Sequence, residues 1–399
     1  MMARARTPTL ALLALLLATL LAGCGREDSS DDQASSRPQV GVKADEDDAA
    51  ADLGFPVFAT KNTIRVAGAD AVADAAAVVR AVHPDGAAAS RPQAVTLVDA
   101  GDWRAALIAA SLNRAPLSAP TLFARGSTLP PATTGAIRAL NLRGSKAAGG
   151  AQVIRIGTSA RPGALKTTDV RGKDPFALAR SVDAFTAAAR GRPGDRVILV
   201  SAENPAYAAP AAAYAAKSGD PILFTNKDVV PPDTIAAIKA HKKPTIYVLG
   251  PSSIISPKAT KQLKGLGKVV RTGGQDPISN SIEFARFSDG AFGWGITDPG
   301  HGMVFLAQGA DPTVAAAVAP LSASGAYGPA LLLSSPTTLD KAMAAFLADI
   351  QPGFAKDPVR GVYNRAWVIG DTKVISPELQ SSIDRSLEIT PIVAKKGAK

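Results

Sequence analysis

The chain has 399 residues, a formal net charge of +10, 46% hydrophobic residues, one cysteine and three histidines. A solitary cysteine excludes a disulfide framework. His83, His241 and His301 lie too far apart in sequence for metal-ligand spacing, and neither a Walker loop nor a Gly-x-Ser-x-Gly elbow occurs. No metal, no cofactor and no enzymatic activity are therefore expected.

In chain order, Arg4 and Arg6 precede an apolar run from Leu10 to Leu21 that ends in Leu21-Ala-Gly-Cys24. A basic start, an apolar stretch of this length and small residues at its end describe a secretory signal, and the run is short for a membrane span. Leu-Ala-Gly-Cys resembles the lipobox of bacterial lipoproteins. That resemblance implies that residues 1–24 are a signal segment and that Cys24 becomes the lipidated, palmitate-bearing first residue of the mature chain; the alternative is an ordinary secretory signal or an uncleaved anchor. The expected location is the extracytoplasmic face of the cell membrane.

Residues 25–58 read as a disordered acidic tether. Between Arg26 and Asp52 there are nine acidic and three basic residues and almost no large apolar side chains. Residues 1–25 contribute +2 and residues 26–52 contribute −6, which leaves +14 for residues 53–399. A basic body behind an acidic tether suggests an anionic extracytoplasmic partner. Basic and aromatic residues are not interleaved as base stacking requires, which argues against nucleic acid.

The body repeats itself. The pattern charged-x-x-Gly-x-Asp occurs at Arg65-Val-Ala-Gly68-Ala-Asp70, Asp169-Val-Arg-Gly172-Lys-Asp174 and Arg271-Thr-Gly-Gly274-Gln-Asp276. After each comes an apolar run (Ala94–Val98, Val197–Val200, Met303–Leu306), then a polar loop (Gly101-Asp-Trp103, Glu203-Asn-Pro205, Ala310-Asp-Pro312) and an Ala-rich helix. A proline then opens a second apolar run: Pro120-Thr-Leu-Phe, Pro221-Ile-Leu-Phe, Pro329-Ala-Leu-Leu. Tyr247-Val-Leu-Gly-Pro-Ser-Ser-Ile-Ile-Ser-Pro257 returns as Trp367-Val-Ile-Gly-Asp-Thr-Lys-Val-Ile-Ser-Pro377. Self-similarity at a period of about a hundred residues, with strand and helix alternating, predicts three tandem small parallel-sheet α/β modules. Their expected bounds are 59–160, 161–267 and 268–392, each of a size to bury its own core, with a basic tail at 393–399.

The repeats resemble the cell wall-binding repeat family (type 2), modules by which bacterial surface proteins attach noncovalently to the wall. Arg65, Gly68 and Asp70, and Arg271, Gly274 and Asp276, match its opening motif, while the second copy has Asp169 in place of the arginine. Ser201-Ala-Glu203-Asn204 is the best copy of its second motif, and Gly250 and Gly370 fill the first glycine of its last motif. Departures are Ala71, Pro175 and Pro277 where the family has arginine, and Pro251 or Asp371 at the second glycine. The resemblance implies three modules about a pseudo-threefold axis, with an anionic wall polymer held in clefts between them.

Ligands of α/β folds sit at loops after strand C-termini, and arginines offer bidentate contacts to phosphate or carboxylate. The candidate binding residues are therefore Arg65, Asp70, Asp102, Trp103, Glu203, Asn204, Tyr207, Arg271, Asp276 and Asp311. Each has an alternative as a turn or cap, Asn204 and Asp311 especially, because both stand just before helices; Trp103 could stack on a sugar or simply pack. The function expected is noncatalytic: a lipid-anchored protein that binds an anionic wall polymer or glycan and links membrane to wall. The alternatives are a solute-binding lipoprotein of a transporter and a protein–protein scaffold. A monomer is plausible, and the oligomeric state is left open.

Overall fold

Runs of Val, Ile and Leu bounded by Gly or Pro form short parallel strands, most of them covered on both faces. A computed structural model describes residues 60–84, 91–309, 311–325 and 327–392. Cys24, the acidic stretch and the basic tail lie outside the described residues. The first repeat supplies β1 (Thr63–Val66), β2 (Val95–Asp99), β3 (Thr121–Ala124) and β4 (Val153–Ile156). The second supplies β5 (Thr167–Val170), β6 (Arg196–Ser201), β7 (Ile222–Thr225) and β8 (Thr245–Leu249). The third supplies β9 (Lys268–Thr272), β10 (Gly302–Ala307), β11 (Ala330–Leu333) and β12 (Arg365–Ile369).

These strands make three four-stranded parallel sheets, ordered β3-β2-β4-β5, β7-β6-β8-β9 and β11-β10-β12-β1. The opening strand of each repeat thus completes the sheet of another. β5 pairs with β4 of the first repeat, β9 with β8 of the second, and β1 with β12 of the third. The exchange is cyclic: a strand from the beginning of the described chain closes the last sheet, with Thr63 opposite Ala366 and Val66 opposite Ile369.

The glycine–aspartate motif makes each turn from opening strand to helix. Asp70, Asp174 and Asp276 N-cap the Ala71–Val82, Pro175–Arg190 and Pro277–Arg286 helices, each carboxylate accepting two backbone N–H bonds. Such caps contribute about 1 kcal/mol apiece. The motif glycine is demanded by close approach. A Cβ on Gly68 would stand 2.5 Å from Asp74 N, one on Gly172 2.2 Å from Leu178 N, and one on Gly274 2.3 Å from Ser279 Oγ. These turns are therefore helix-packing devices rather than phosphate cradles.

The expectation of one core per repeat is corrected by the packing, because a single continuous apolar cluster runs from Val66 to Leu387. Its centre is built from alanine. The Ala110–Asn113 turn, the Pro210–Ser218 helix and the Pro320–Ala323 helix, from equivalent places in the three repeats, pack pairwise against one another. Ala106, Ala110, Ala212, Ala215, Ala316 and Ala319 are wholly buried there. Alanine lets helical backbones approach closely, so three repeats merge their interiors into one. No helix among the described residues is long and apolar enough to cross a membrane.

Candidate functional site

An arginine grips the loop after the third strand of each sheet. Arg65, on β1, is wholly buried; its NH1 donates to the carbonyls of Gly370 (2.7 Å) and Asp371 (2.9 Å), and its Nε to Gln380 Oε1 (2.9 Å). Arg271, on β9, donates to the carbonyls of Gly250 (2.6 Å) and Ile255 (2.7 Å). Gly250 and Gly370 have φ of +111° and +118°, so their loops turn in a conformation that glycine adopts without strain. Arg65 and Arg271 thus serve the junctions between repeats, and Arg65 is wholly buried there.

In the remaining sheet the charge has crossed to the neighbouring strand. Asp169 stands on β5 where the other sheets have arginine, and its direct partner on β4 is Arg155. The corresponding partners elsewhere are Val368 and Val248. Arg155 grips Asp169 with two hydrogen bonds (Nε to Oδ1 2.6 Å, NH2 to Oδ2 2.7 Å) and donates NH1 to the carbonyls of Ala160 (3.1 Å) and Ser159 (3.4 Å). Hydrogen bonds from Arg155 and Arg171 outweigh the burial of Asp169 and hold its carboxyl below the usual carboxylate range.

A crevice of about 320 Å³ opens at the C-terminal ends of β2 and β3. Asp70, Asp99, Gly101 and Arg125 of the first repeat line it together with Asp311 of the third. The residues around it are largely satisfied locally. Asp70 caps its helix through Oδ1 and pairs through Oδ2 with Arg125. Asp99 accepts from Gly101 N (2.9 Å) and Gly126 N (3.1 Å), and Asp311 from Thr313 N (2.9 Å) and Oγ1 (2.7 Å). Three carboxylates against one guanidinium make the crevice a poor seat for a polyanion and an acceptor set suited to hydroxyl groups. Arg125 had no place among the sequence candidates, although it follows a strand C-terminus.

The other candidates join repeats or hold turns. Asp102 caps the Trp103–Ala109 helix. Trp103 meets Phe224 of the second repeat edge-on at 5.9 Å, and Arg104 covers its ring at 4.5 Å while donating to the Ala202 carbonyl (2.8 Å). Tyr207 donates its hydroxyl to the Gln275 carbonyl of the third repeat (2.8 Å). Asn204 does not cap by its side chain. Ser201 Oγ accepts from the Glu203 and Asn204 backbones and from Asn204 Nδ2. Glu203 is exposed and accepts from Lys227 N (3.3 Å), and Asp276 forms a capping box with Ser279. Of the ten candidates, the structure brings together in the crevice only Asp70 and Asp311.

The strongest positive feature lies elsewhere. Eight lysines fall between Lys227 and Lys268, all exposed, with Asp228 and Asp233 the only acids in the stretch. Neither acid neutralises a lysine: Asp233 pairs with Arg180 (3.1 Å), and Asp228 accepts from Ser256 Oγ (2.6 Å). Lys268, at the end of the stretch, reaches Asp289 (3.4 Å). Lys242 and Lys243 precede β8 and Lys264 precedes β9, so the pairing of these two strands gathers them at one sheet edge. No group of three or more His, Cys, Asp or Glu side chains among the described residues is placed to hold a metal ion.

Residues 170–260 match the family model Cell wall binding domain 2 (CWB2). Two solved structures share the fold. "Cwp6 from Clostridium difficile" superposes with a TM-score of 0.64 at 17% identity, over 82% of this chain and 48% of that one. "Cwp8 from Clostridium difficile" gives 0.62 at 16% identity, over 82% and 52%. The chain thus spans about half the length of either protein. No curated protein sequence matches it.

Proposed function

We propose that this chain, which carries a module of the cell wall binding domain 2 family at residues 170–260, is a noncatalytic surface protein that binds an anionic wall polymer. The lysine-rich flank of that same module carries the reading, because it concentrates largely unneutralised positive charge where the family match falls. The three modules would stand about a pseudo-threefold axis, consistent with the cyclic exchange of strands. Lipid on Cys24 would hold the protein at the membrane and make it a bridge to the wall.

The test is co-sedimentation of the protein with purified wall sacculi, before and after chemical removal of their secondary polymers. Binding should fall on polymer removal and with rising salt, since exposed charges are screened beyond about 10 Å at 0.1 M. Charge reversal of Lys239, Lys242, Lys243 and Lys264 to Glu, at roughly 0.5 kcal/mol per surface contact, should weaken binding by about 2 kcal/mol, or about thirtyfold. Binding that ignores polymer removal, or that is absent at low salt, refutes the reading and reopens the transporter and scaffold alternatives. Cys24→Ser should move the protein from the membrane to the soluble or cytoplasmically retained fraction; unchanged acylation by mass spectrometry refutes the anchor.

A further inference from the structure

Large apolar side chains exposed to solvent are few among the described residues, and four of them gather at one end of the third repeat. Val359 is 80% exposed, Ile392 62%, Val362 52% and Tyr363 39%. Val359 sits on the Pro358–Arg360 turn, which packs beside Gly353–Phe354. Ile392 follows the ladder that Thr390–Pro391 forms with Gly353–Phe354, and its N–H donates to the Phe354 carbonyl (2.8 Å). The tip is held firmly from within. Asn364 is wholly buried, accepts from Gly300 N (2.8 Å) and His301 N (3.1 Å), and donates to the Ile350 carbonyl (2.7 Å). Tyr363 donates its hydroxyl to the Pro358 carbonyl (2.7 Å).

The same segment carries the exposed basic residues Lys356, Arg360 and Arg365, of which Arg360 lies 4.0 Å from Asp357, the acid of the loop. Apolar side chains on a fixed turn with cations beside them are the pattern that enters the headgroup boundary of an anionic bilayer. The position of the tip matters equally. β1 begins at the same sheet edge: Ala366 N donates to the Asn62 carbonyl (2.9 Å), and Lys61 pairs with Glu388. Thr60, the first described residue after the N-terminal segment, is therefore next to the tip. Thr60 lies 36 residues after Cys24, so a lipid on Cys24 would be joined to the body at this edge.

We propose that Val359, Val362, Tyr363 and Ile392, with their basic neighbours, form the face by which the body rests on an anionic lipid bilayer. The inference rests on the lipid-anchor reading of Cys24 for its geometry, but its chemistry is separate. The test places tryptophan at Val359, and in a control chain at Val229, which is 50% exposed on the second repeat. Each full chain is incorporated into vesicles of phosphatidylglycerol carrying brominated acyl chains, and flotation and tryptophan emission are read together. Lipid-dependent quenching in Val359→Trp but not in Val229→Trp is the expected result, and adding Val362→Asp should lower it, as should vesicles of neutral phosphatidylcholine.

Flotation without selective quenching overturns the proposed face and leaves the anchor standing. Failure to float, with no acyl mass on Cys24, overturns the anchor. The same chains added to preformed anionic vesicles then decide the face, which falls if the Val359→Trp chain stays unquenched there. A concentration-dependent dimer in lipid-free solution that Val362→Asp dissociates would assign the tip to a second copy of the chain and also overturn the proposal.

Discussion

Asp74 carries an ionisable proton into the interior, and replacing it by Asn removes that proton with almost no change of shape. The residue lies in the first turn of the Ala71–Val82 helix, 3% exposed, with Oδ1 accepting from Gly68 N at 2.8 Å. Burial pushes its carboxyl up to about 8, and the neighbouring Asp70 and Asp371 add to the shift against the bond from Gly68. The unfolded chain releases this proton near the ordinary value of 3.8. Between those values the folded state binds more protons than the unfolded, so stability is fully present below the unfolded pKa and is lost as pH rises through the folded one. The slope approaches about 1.36 kcal/mol per pH unit, hence about 2.7 kcal/mol between pH 5 and pH 7. That is a large part of an ordinary domain's 5–15 kcal/mol.

Asp74→Asn keeps the acceptor for Gly68 and abolishes the titration. Urea unfolding at pH 5, 6 and 7 should show the variant gaining on the parent by about 1.4 kcal/mol per unit, with other titrating groups cancelling in the difference. In repeat two the equivalent position, six residues after the motif glycine, is the apolar and buried Leu178, so the turn forms without a titrating group there. Parallel pH dependences for parent and variant would refute it.

The Arg155–Asp169 pair predicts a rescue. Asp169→Arg alone should destabilise by roughly 3–5 kcal/mol, because it sets a second guanidinium against the buried Arg155; Arg155→Val should cost less, because Asp169 is exposed and keeps Arg171 at 2.7 Å. The double variant recreates the arrangement of the other two sheets and should recover most of the loss in a double-mutant cycle by urea denaturation; additive losses would contradict the equivalence. His241 offers a second pH test. Burial disfavours its charge, yet Asp183 at 2.8 Å from Nε2 and the Gly194 carbonyl at 2.7 Å from Nδ1 raise its pKa overall. Its contribution is fully present below the unfolded value of about 6.5 and disappears as pH rises through the folded one. An NMR titration should place the imidazole above 6.5, and Asp183→Asn should lower it; an unchanged titration would refute the pairing.

The strands, the order of elements within a repeat and the Gly-x-Asp turns were legible in the sequence, because apolar runs and turn residues act over a few positions. Which sheet a strand joins was not. β5 and the opening strands like it belong by sequence to one repeat and by hydrogen bonding to another, and a period says nothing about that choice. For the same reason Asp169 reads as a lost arginine until Arg155 is seen across the ladder. The arginine motif invited a ligand reading because side-chain type was visible and burial was not. Asn204 leaves its helix without a side-chain cap because its Nδ2 donates back to Ser201 Oγ, which closes the turn before the helix. The lysines were visible one by one, while their gathering at one edge depends on β8 lying beside β9.

The strand that completes the last sheet is also the first one reached by any pull delivered through the N-terminal segment. Force arriving at Thr60 meets four residue pairs with β12, the Asp384 carboxylate that accepts from Asn62 N (2.8 Å), and the Arg65 guanidinium behind them. Under such a pull β1 would part from its sheet first, while the other two sheets keep their strands. Arg65 sets the strength of that latch, and substituting it would change the load at which the molecule lets go before it changed what the molecule holds.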